Sequence, residues 1–456
     1  MTQRRLTLLP TMMTLSLMGG ASVFAQPQLQ QKPQQQLKVV PPPASNKNLT
    51  PPVQIQRPQQ VPNHFPIQRR VRGRYPQEAQ KVDFKHLIEQ LPKVATKKYD
   101  QPQIQLALIL DVSGSMEGLL NQAREELWKV INLFNEIEYE GVTPEIRVAL
   151  YTHGMSVAKT GLFLEQRLPL TTDLDQVSEI LFSIKTRGSE EFSPSSIYAA
   201  SHGLEWTAAS NDFKAIIIAG NEEFVQGPLS MEEGFEAATR RHLITHTIHC
   251  GSPEQGIRDL WKRAAQLGGG QFLNINQDAK QQYIETPYDD QIQEQNRKLN
   301  ETYIPYGTLG RSGIAKQRAQ DVNASKMSKA SAIQRSITKS NSYYSNDQWD
   351  LVDAVRNQRI DLAKVETALL PEALQSMDTQ ALTQYVNDKQ AQRTLIQTQI
   401  TELQKKRSAY LKAERNRRAE AGEKRLDSVL IEALRKQALG LGFKWRVTST
   451  VKEKEK

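Results

Sequence analysis

The chain has a single cysteine, Cys250, among 456 residues. No intrachain disulfide can form, so stability must come from packing even where export would permit a bridge. Cys250 ends the strand-like run LITHTIHC, where a buried small hydrophobe is expected rather than a reactive thiol. Beyond the first residues, no segment approaches the ~20 apolar residues that a spanning helix needs. Catalytic signatures are missing as well: there is no GxSxG elbow and no GxxxxGK[ST] phosphate loop. His246 and His249 stand three apart on an expected strand, which sends them to opposite faces and excludes the helical pair of a zinc protease. Ser113 has no histidine partner in the surrounding pattern, so a nucleophile is not expected there.

Hydrophobic residues make up 38% and charged residues 24% of the chain. Such a composition fits one sizeable core with polar extensions. The opening MTQRRLTLLPTMMTLSLMGGASVFAQ has Arg4 and Arg5, an apolar stretch, and Val23 and Ala25 placed for cleavage. Residues 1–25 therefore read as an export signal, and the mature chain is expected in the periplasm or cell envelope. Residues 26–75 are rich in Gln and Pro, with no period that could bury a face, and are expected to form a disordered tether. A short helix and linker should occupy 76–99.

The formal net charge of +9 is unevenly spread. Acidic residues predominate over 104–276 and basic ones at both ends, which suits solvated faces, or contact of the ends with anionic lipid or an envelope polymer. Nucleic acid is not an expected partner outside the cytoplasm.

Between residues 100 and 278, apolar runs alternate with amphipathic helical patterns. IQLALILD, EIRVALYTHG, FKAIIIAG, ITHTIHC and GQFLNIN read as strands; GLFLEQRLPLTT is weaker and edge-like. Strands without strict alternation, separated by helices, imply an α/β fold with a doubly wound, mostly parallel sheet covered on both faces. Asp173 should cap the helix LDQVSEILFSI. Trp206, Trp261 and Phe272 fit core packing. Residues 279–345 show no periodicity and are expected to be an extended arm. Residues 346–456 are expected to be helical. Leu382, Val386, Ile396, Ile400, Leu403 and Tyr410 form a near-heptad stripe there, interrupted by Lys389 and Arg393; a hairpin on the main domain and a coiled-coil dimer both remain open.

The first strand runs directly into DVSGSM. Asp111 supplies an anionic oxygen, Ser113 and Ser115 supply hydroxyls, and Gly114 permits the tight turn. Ligands of open α/β sheets bind at such carboxyl ends, and a hard cation such as magnesium takes oxygen donors. The same residues are also favoured helix N-caps. Set in IQLALILDVSGSM, with RVALYTHG, KAIIIAGNEEF and LWKRAAQLGGGQFLNIN following, the motif resembles a von Willebrand factor type A domain of the secreted bacterial kind.

The resemblance covers about 175 residues. It implies a Rossmann-like sheet with one antiparallel edge strand, a metal-ion-dependent adhesion site used for protein binding or assembly, and no general enzymatic activity. Carried over, Asp111, Ser113 and Ser115 match its first ligand motif. Its second ligand, normally a Thr, falls on Ser189, or on Glu190 with a shift of one residue. Its third, normally an Asp, falls on Asn221. That amide departs from the family pattern; Glu222, Glu223, Glu190 and Glu191 lie on the two loops and could restore the charge. Two functions follow as expectations: protein binding through magnesium or another divalent cation, to a partner offering a carboxylate, or a structural envelope role through the basic helical tail with a vestigial metal site.

Overall fold

The computed structural model describes residues 84–116, 120–134, 137–154, 162–186, 188, 190–275, 283–419 and 427–445. The expected export signal (1–25), the expected Gln/Pro tether (26–75) and Ser189 lie outside the described residues. Helix α1 (Phe84–Glu89) precedes β1 (Gln103–Asp111), α2 (Leu120–Leu133), β2 (Ile137–Glu138), β3 (Glu145–His153) and β4 (Leu164–Thr171). Then come α3 (Leu174–Ser183), α4 (Ser193–Gly203), β5 (Phe213–Gly220), α5 (Met231–Arg240), β6 (Ile244–Cys250), α6 (Pro253–Arg258), α7 (Trp261–Leu267) and β7 (Gly269–Ile275). The chain continues as α8 (Asp289–Asn300), α9 (Gly310–Met327), α10 (Lys329–Ser340), α11 (Leu351–Arg356), α12 (Thr379–Ala419), α13 (Asp427–Gly440) and β8 (Lys444–Trp445). Among the described residues no helix is long and apolar enough to cross a membrane.

The main sheet has the order β4-β3-β1-β5-β6-β7. All its pairings are parallel except that of β4 with β3, which places one antiparallel strand at the edge. This is the expected doubly wound α/β fold. Strand periodicity explains its two cores, because successive side chains point to opposite faces. Leu106, Leu108 and Leu110 of β1, with Ala215 and Ile217 of β5, pack toward α2, α3 and α10. Ala107 and Ile109, with Ile216 and Ile218, pack toward α4, α5 and α7. Local signals set the helix starts. Asp173 Oδ1 accepts the Gln176 amide at 2.9 Å, as its position predicts, and Ser230 with Glu233 forms a reciprocal capping box on α5.

The expected extended arm over 279–345 is corrected by the structure, which shows three helices there. Their buried faces mix apolar and polar residues: Ile292, Leu299, Ile333 and Ile337 are buried, and so are Gln317, Gln320, Arg335, Ser336, Thr338 and Lys339. Arg335 bridges Asp175 of α3 at 2.5 Å and Asp321 of α9 at 2.9 Å, and Lys339 meets Asp321 at 2.7 Å. Burial pushes the Lys339 ammonium down to about 8 against the opposing pull of Asp321. Opposite charges replace apolar residues at this contact, so no hydrophobic period marks it.

Helix α12 shows the same substitution. Val386, Arg393, Ile400 and Arg407, spaced by sevens, are its buried seam. Arg393 meets Asp350 and Asp353, and Arg407 meets Asp289. Arg393 is thus part of the seam it was expected to interrupt, and Lys389 Nζ donates to the Glu301 carbonyl at the end of α8 at 3.1 Å. Tyr410 of the expected stripe is 41% exposed. The seam is filled by the chain's own aspartates, and α13 returns to β7 and α2, the hairpin arrangement.

Candidate cation site at the carboxyl edge of the sheet

The chain leaves β1 for β3 on one side and later returns to β5 on the other. The ends of β1 and β5 therefore form the switch point where open α/β sheets bind ligands. Asp111, the last residue of β1, is fully buried. Its Oδ1 accepts the Ser113 amide at 2.7 Å and its Oδ2 the Ser113 hydroxyl at 3.1 Å. Ser113 and Ser115 Oγ lie 2.8 Å apart, and Ser115 Oγ donates to Asn221 Oδ1 at 3.0 Å. Among the described residues these bonds run within the turn and across to Asn221, not into the first turn of α2. A helix cap alone does not account for them.

Two glycines make room for the carboxylate. A Cβ on Gly154 would stand 2.6 Å from Asp111 Oδ1, and one on Gly220 would stand 3.2 Å from Asp111 Cβ. Gly154 also has φ +90°, which a side chain disfavours. Gly154→Ala is expected to destabilise the fold by about 1–3 kcal/mol through backbone strain. Thermal and denaturant unfolding would check this, and an unchanged midpoint would refute it.

The second loop contributes Glu191. It is 1% exposed, just ahead of α4, and its carboxyl lies within hydrogen-bond reach of Asp111. Glu191 Oε2 accepts the Glu222 amide at 3.3 Å, while Oε1 is buried with no hydrogen-bond partner. Burial first, then the Asp111 charge, pushes Glu191 up to about 10; burial also pushes Asp111 up to about 6, opposed by the Ser113 hydrogen bonds. Two buried carboxyls side by side are costly unless neutralised.

Of the residues expected at the site, the structure brings together Asp111, Ser113, Ser115 and Asn221, with the exposed Glu222 beside them. Glu190 is half-buried, and its neighbour Glu191 is the residue turned toward Asp111. Spacing in RGSEEFSPS could not choose between the two glutamates. The choice comes from the Glu222 amide and the Asp111 carboxyl, which belong to other strands. His153, register partner of Asp111, is fully buried with no hydrogen bond at either ring nitrogen. It therefore forms no Ser–His couple with Ser113.

The donor set is one of hard oxygens: two buried carboxyls, two hydroxyls and an amide. Among the described residues no group of three or more His, Cys, Asp or Glu side chains could share an ion, so any cation here relies on neutral oxygens as well. The orphaned Glu191 Oε1 and the two mutually repelling carboxyls fit a divalent cation.

The sheet has the arrangement that the resemblance to a von Willebrand A domain implies: parallel strands, one antiparallel edge, and the DVSGS turn at the switch point. No protein-family model matches the sequence, and no curated protein matches it. Among solved structures, the chain is similar to BatB from Bacteroides thetaiotaomicron, at 16% identity over 38% of this chain and 90% of that one, TM-score 0.29. It is similar to the SpRpn10 VWA domain at 16% identity, 39% and 90% coverage, and TM-score 0.28. A third is proximal thread matrix protein 1 from the mussel byssus with a zinc-occupied MIDAS motif, at 11% identity, 40% and 43% coverage, and TM-score 0.29. The strand order, not these scores, carries the fold.

Proposed function

We propose that this chain is an exported, non-catalytic binding protein that holds a divalent cation, magnesium by the hardness of its donors, at the carboxyl edge of its sheet. Asp111 and Glu191 would neutralise the ion from the buried side, while Ser113, Ser115 and Asn221 offer neutral oxygens. The observation that carries this reading is the buried Asp111–Glu191 pair, with Glu191 Oε1 lacking any donor. Glu191 restores from the floor of the site the charge that Asn221 does not supply at its rim. Magnesium keeps water wherever protein ligands are missing. Ser115 is exposed and Asn221 half-buried, so a carboxylate of a protein partner in the cell envelope can reach the ion from that side.

A second reading places the binding surface on α12. On either side of its Arg407–Asp289 anchor, this helix exposes Lys405, Lys406 and Lys412, a basic face suited to an anionic membrane surface or envelope polymer. The readings separate on the EDTA-stripped full chain titrated with magnesium alone. Cation binding should raise folding stability by ~2.7 kcal/mol at a hundredfold excess over Kd. A melting curve that neither magnesium nor manganese moves would sink the cation reading and favour the basic helix.

A further inference from the structure

The turn bearing Asn221 is held from beneath by one side chain. Trp261, the first residue of α7, is fully buried, and its indole N–H donates to the Glu222 carbonyl at 2.7 Å. Its ring lies against the exit of β5, where a Cβ on Gly220 would come within 2.9 Å of Trp261 Cη2. Phe224, at the far end of the turn, meets the ring edge-on with centroids 5.0 Å apart. The Phe224 amide donates to the Asp259 carbonyl at 2.9 Å. Residues 220–224 are thus pinned at three points to the α6–α7 junction. That junction is itself held: Thr247 Oγ1 of β6 donates to the Trp261 carbonyl at 2.9 Å, and Leu260 takes φ +70° to turn the chain into α7. Trp206 is equally buried, but its indole N–H goes to the Ala200 carbonyl, within the core. Both indoles satisfy a buried N–H, but only that of Trp261 does so on the turn that presents Asn221.

We propose that Trp261 is a positioning residue for the cation site: its indole N–H fixes the Asn221–Glu222 turn so that Asn221 Oδ1 faces Ser115. This rests on the cation reading of the site and adds to it a residue that touches no ion. The bond holds a backbone carbonyl, so what it secures is the direction of the neighbouring amide side chain and the placing of the Glu222 amide on Glu191. Both would be lost together if the turn moved.

Magnesium titration of the full chain by calorimetry tests the assignment in wild type, Trp261→Phe and Trp206→Phe. Each phenylalanine keeps most of the ring's bulk and removes a buried indole N–H, but that of Trp206 goes to the Ala200 carbonyl and not to the Asn221 turn. Affinity should fall about tenfold in Trp261→Phe, the scale of one buried hydrogen bond, and stay unchanged in Trp206→Phe. Equal affinity in wild type and Trp261→Phe overturns the assignment and leaves the cation site standing. No magnesium binding in wild type overturns the cation site, and the assignment with it. Should Trp261→Phe fail to fold, wild-type chain labelled with 5-fluorotryptophan at its five tryptophans gives the readout. One fluorine resonance should move with the calorimetric midpoint; none moving overturns the assignment.

Discussion

Arg393→Ala should lower the unfolding free energy by about 3–5 kcal/mol, the range for breaking a buried charge pair from one side. Arg393 is 1% exposed. Its Nη1 meets Asp350 Oδ2 at 2.6 Å and Asp353 Oδ1 at 2.9 Å, while Nη2 and Nε donate to the Thr302 carbonyl at 2.7 Å and hydroxyl at 3.0 Å. The guanidinium also stacks 4.2 Å from the Tyr303 ring centroid. Burial alone would lower the guanidinium's proton affinity, but the two aspartates reverse the direction and hold it above the usual range.

Truncation leaves the Asp350 carboxylate dry and unpaired and leaves Asp353 only Arg356, 3.1 Å away, and this penalty exceeds the lost packing. Asp350 cannot simply turn away, since it also accepts the Ile304 and Asp353 amides. Denaturant unfolding should show the loss. The triple change Arg393→Met, Asp350→Asn, Asp353→Asn should recover part of it: no buried charge then remains, but one amide oxygen replaces the two with which Asp350 accepts the Ile304 and Asp353 amides. A loss below ~1 kcal/mol, the range of an exposed ion pair, would mean that α12 is not anchored through this cluster.

Asp111→Ala should weaken magnesium binding more than ~100-fold, and Glu191→Gln ~10- to 100-fold, judged against the 10–100-fold typical of outer-shell partners of metal sites. The binding should also depend on pH in a defined direction. Burial raises both carboxyls in the folded chain, Asp111 to about 6 and Glu191 to about 10. Their neutral forms are therefore favoured on folding, and that contribution to stability is complete below their unfolded values near 4. It declines as pH rises, through about 6 for Asp111 and toward about 10 for Glu191.

Metal-free protein should accordingly lose stability between pH 5 and 8 from this pair, and magnesium, which binds the ionised forms, should restore it. The stabilisation by magnesium should be larger at pH 8 than at pH 5.5. Glu191→Gln should flatten the pH dependence of the metal-free chain above pH 6, since Gln cannot ionise. Melting curves with EDTA and with magnesium across this range provide the measurement. A magnesium effect that shrinks as pH rises would contradict the proton competition from which it is derived.

Legibility in the sequence followed the kind of burial involved. The strands were readable because β1 and β5 carry the apolar runs LALIL and AIIIA and are buried along their whole length, as central parallel strands covered on both faces must be. The antiparallel edge showed in the weaker run GLFLEQRLPLTT, whose Pro169 suits a strand with one free side. Helices α9, α10 and α12 were read less well for one shared reason. Arg335, Lys339, Arg393 and Arg407 occupy positions where a periodicity argument seeks apolar residues. Each is buried only because an aspartate distant in sequence meets it: Asp175 and Asp321, Asp350 and Asp353, Asp289. Nothing local distinguishes such a residue from a solvated one.

The candidate site divides in the same way. Asp111, Ser113 and Ser115 followed from the sequence by itself, because a strand end, a tight turn and a helix start are local and leave a local pattern; the Asn221 position came from the family resemblance. The sequence also determined the doubly wound sheet, through the alternation of buried strands with amphipathic helices. Only the tertiary structure decided that Glu191 rather than Glu190 faces Asp111, and that Trp261 closes beneath the Asn221 turn. Both choices depend on where strands far apart in the chain end beside one another, and the approach of their carboxyls, amides and rings is set by packing rather than by spacing.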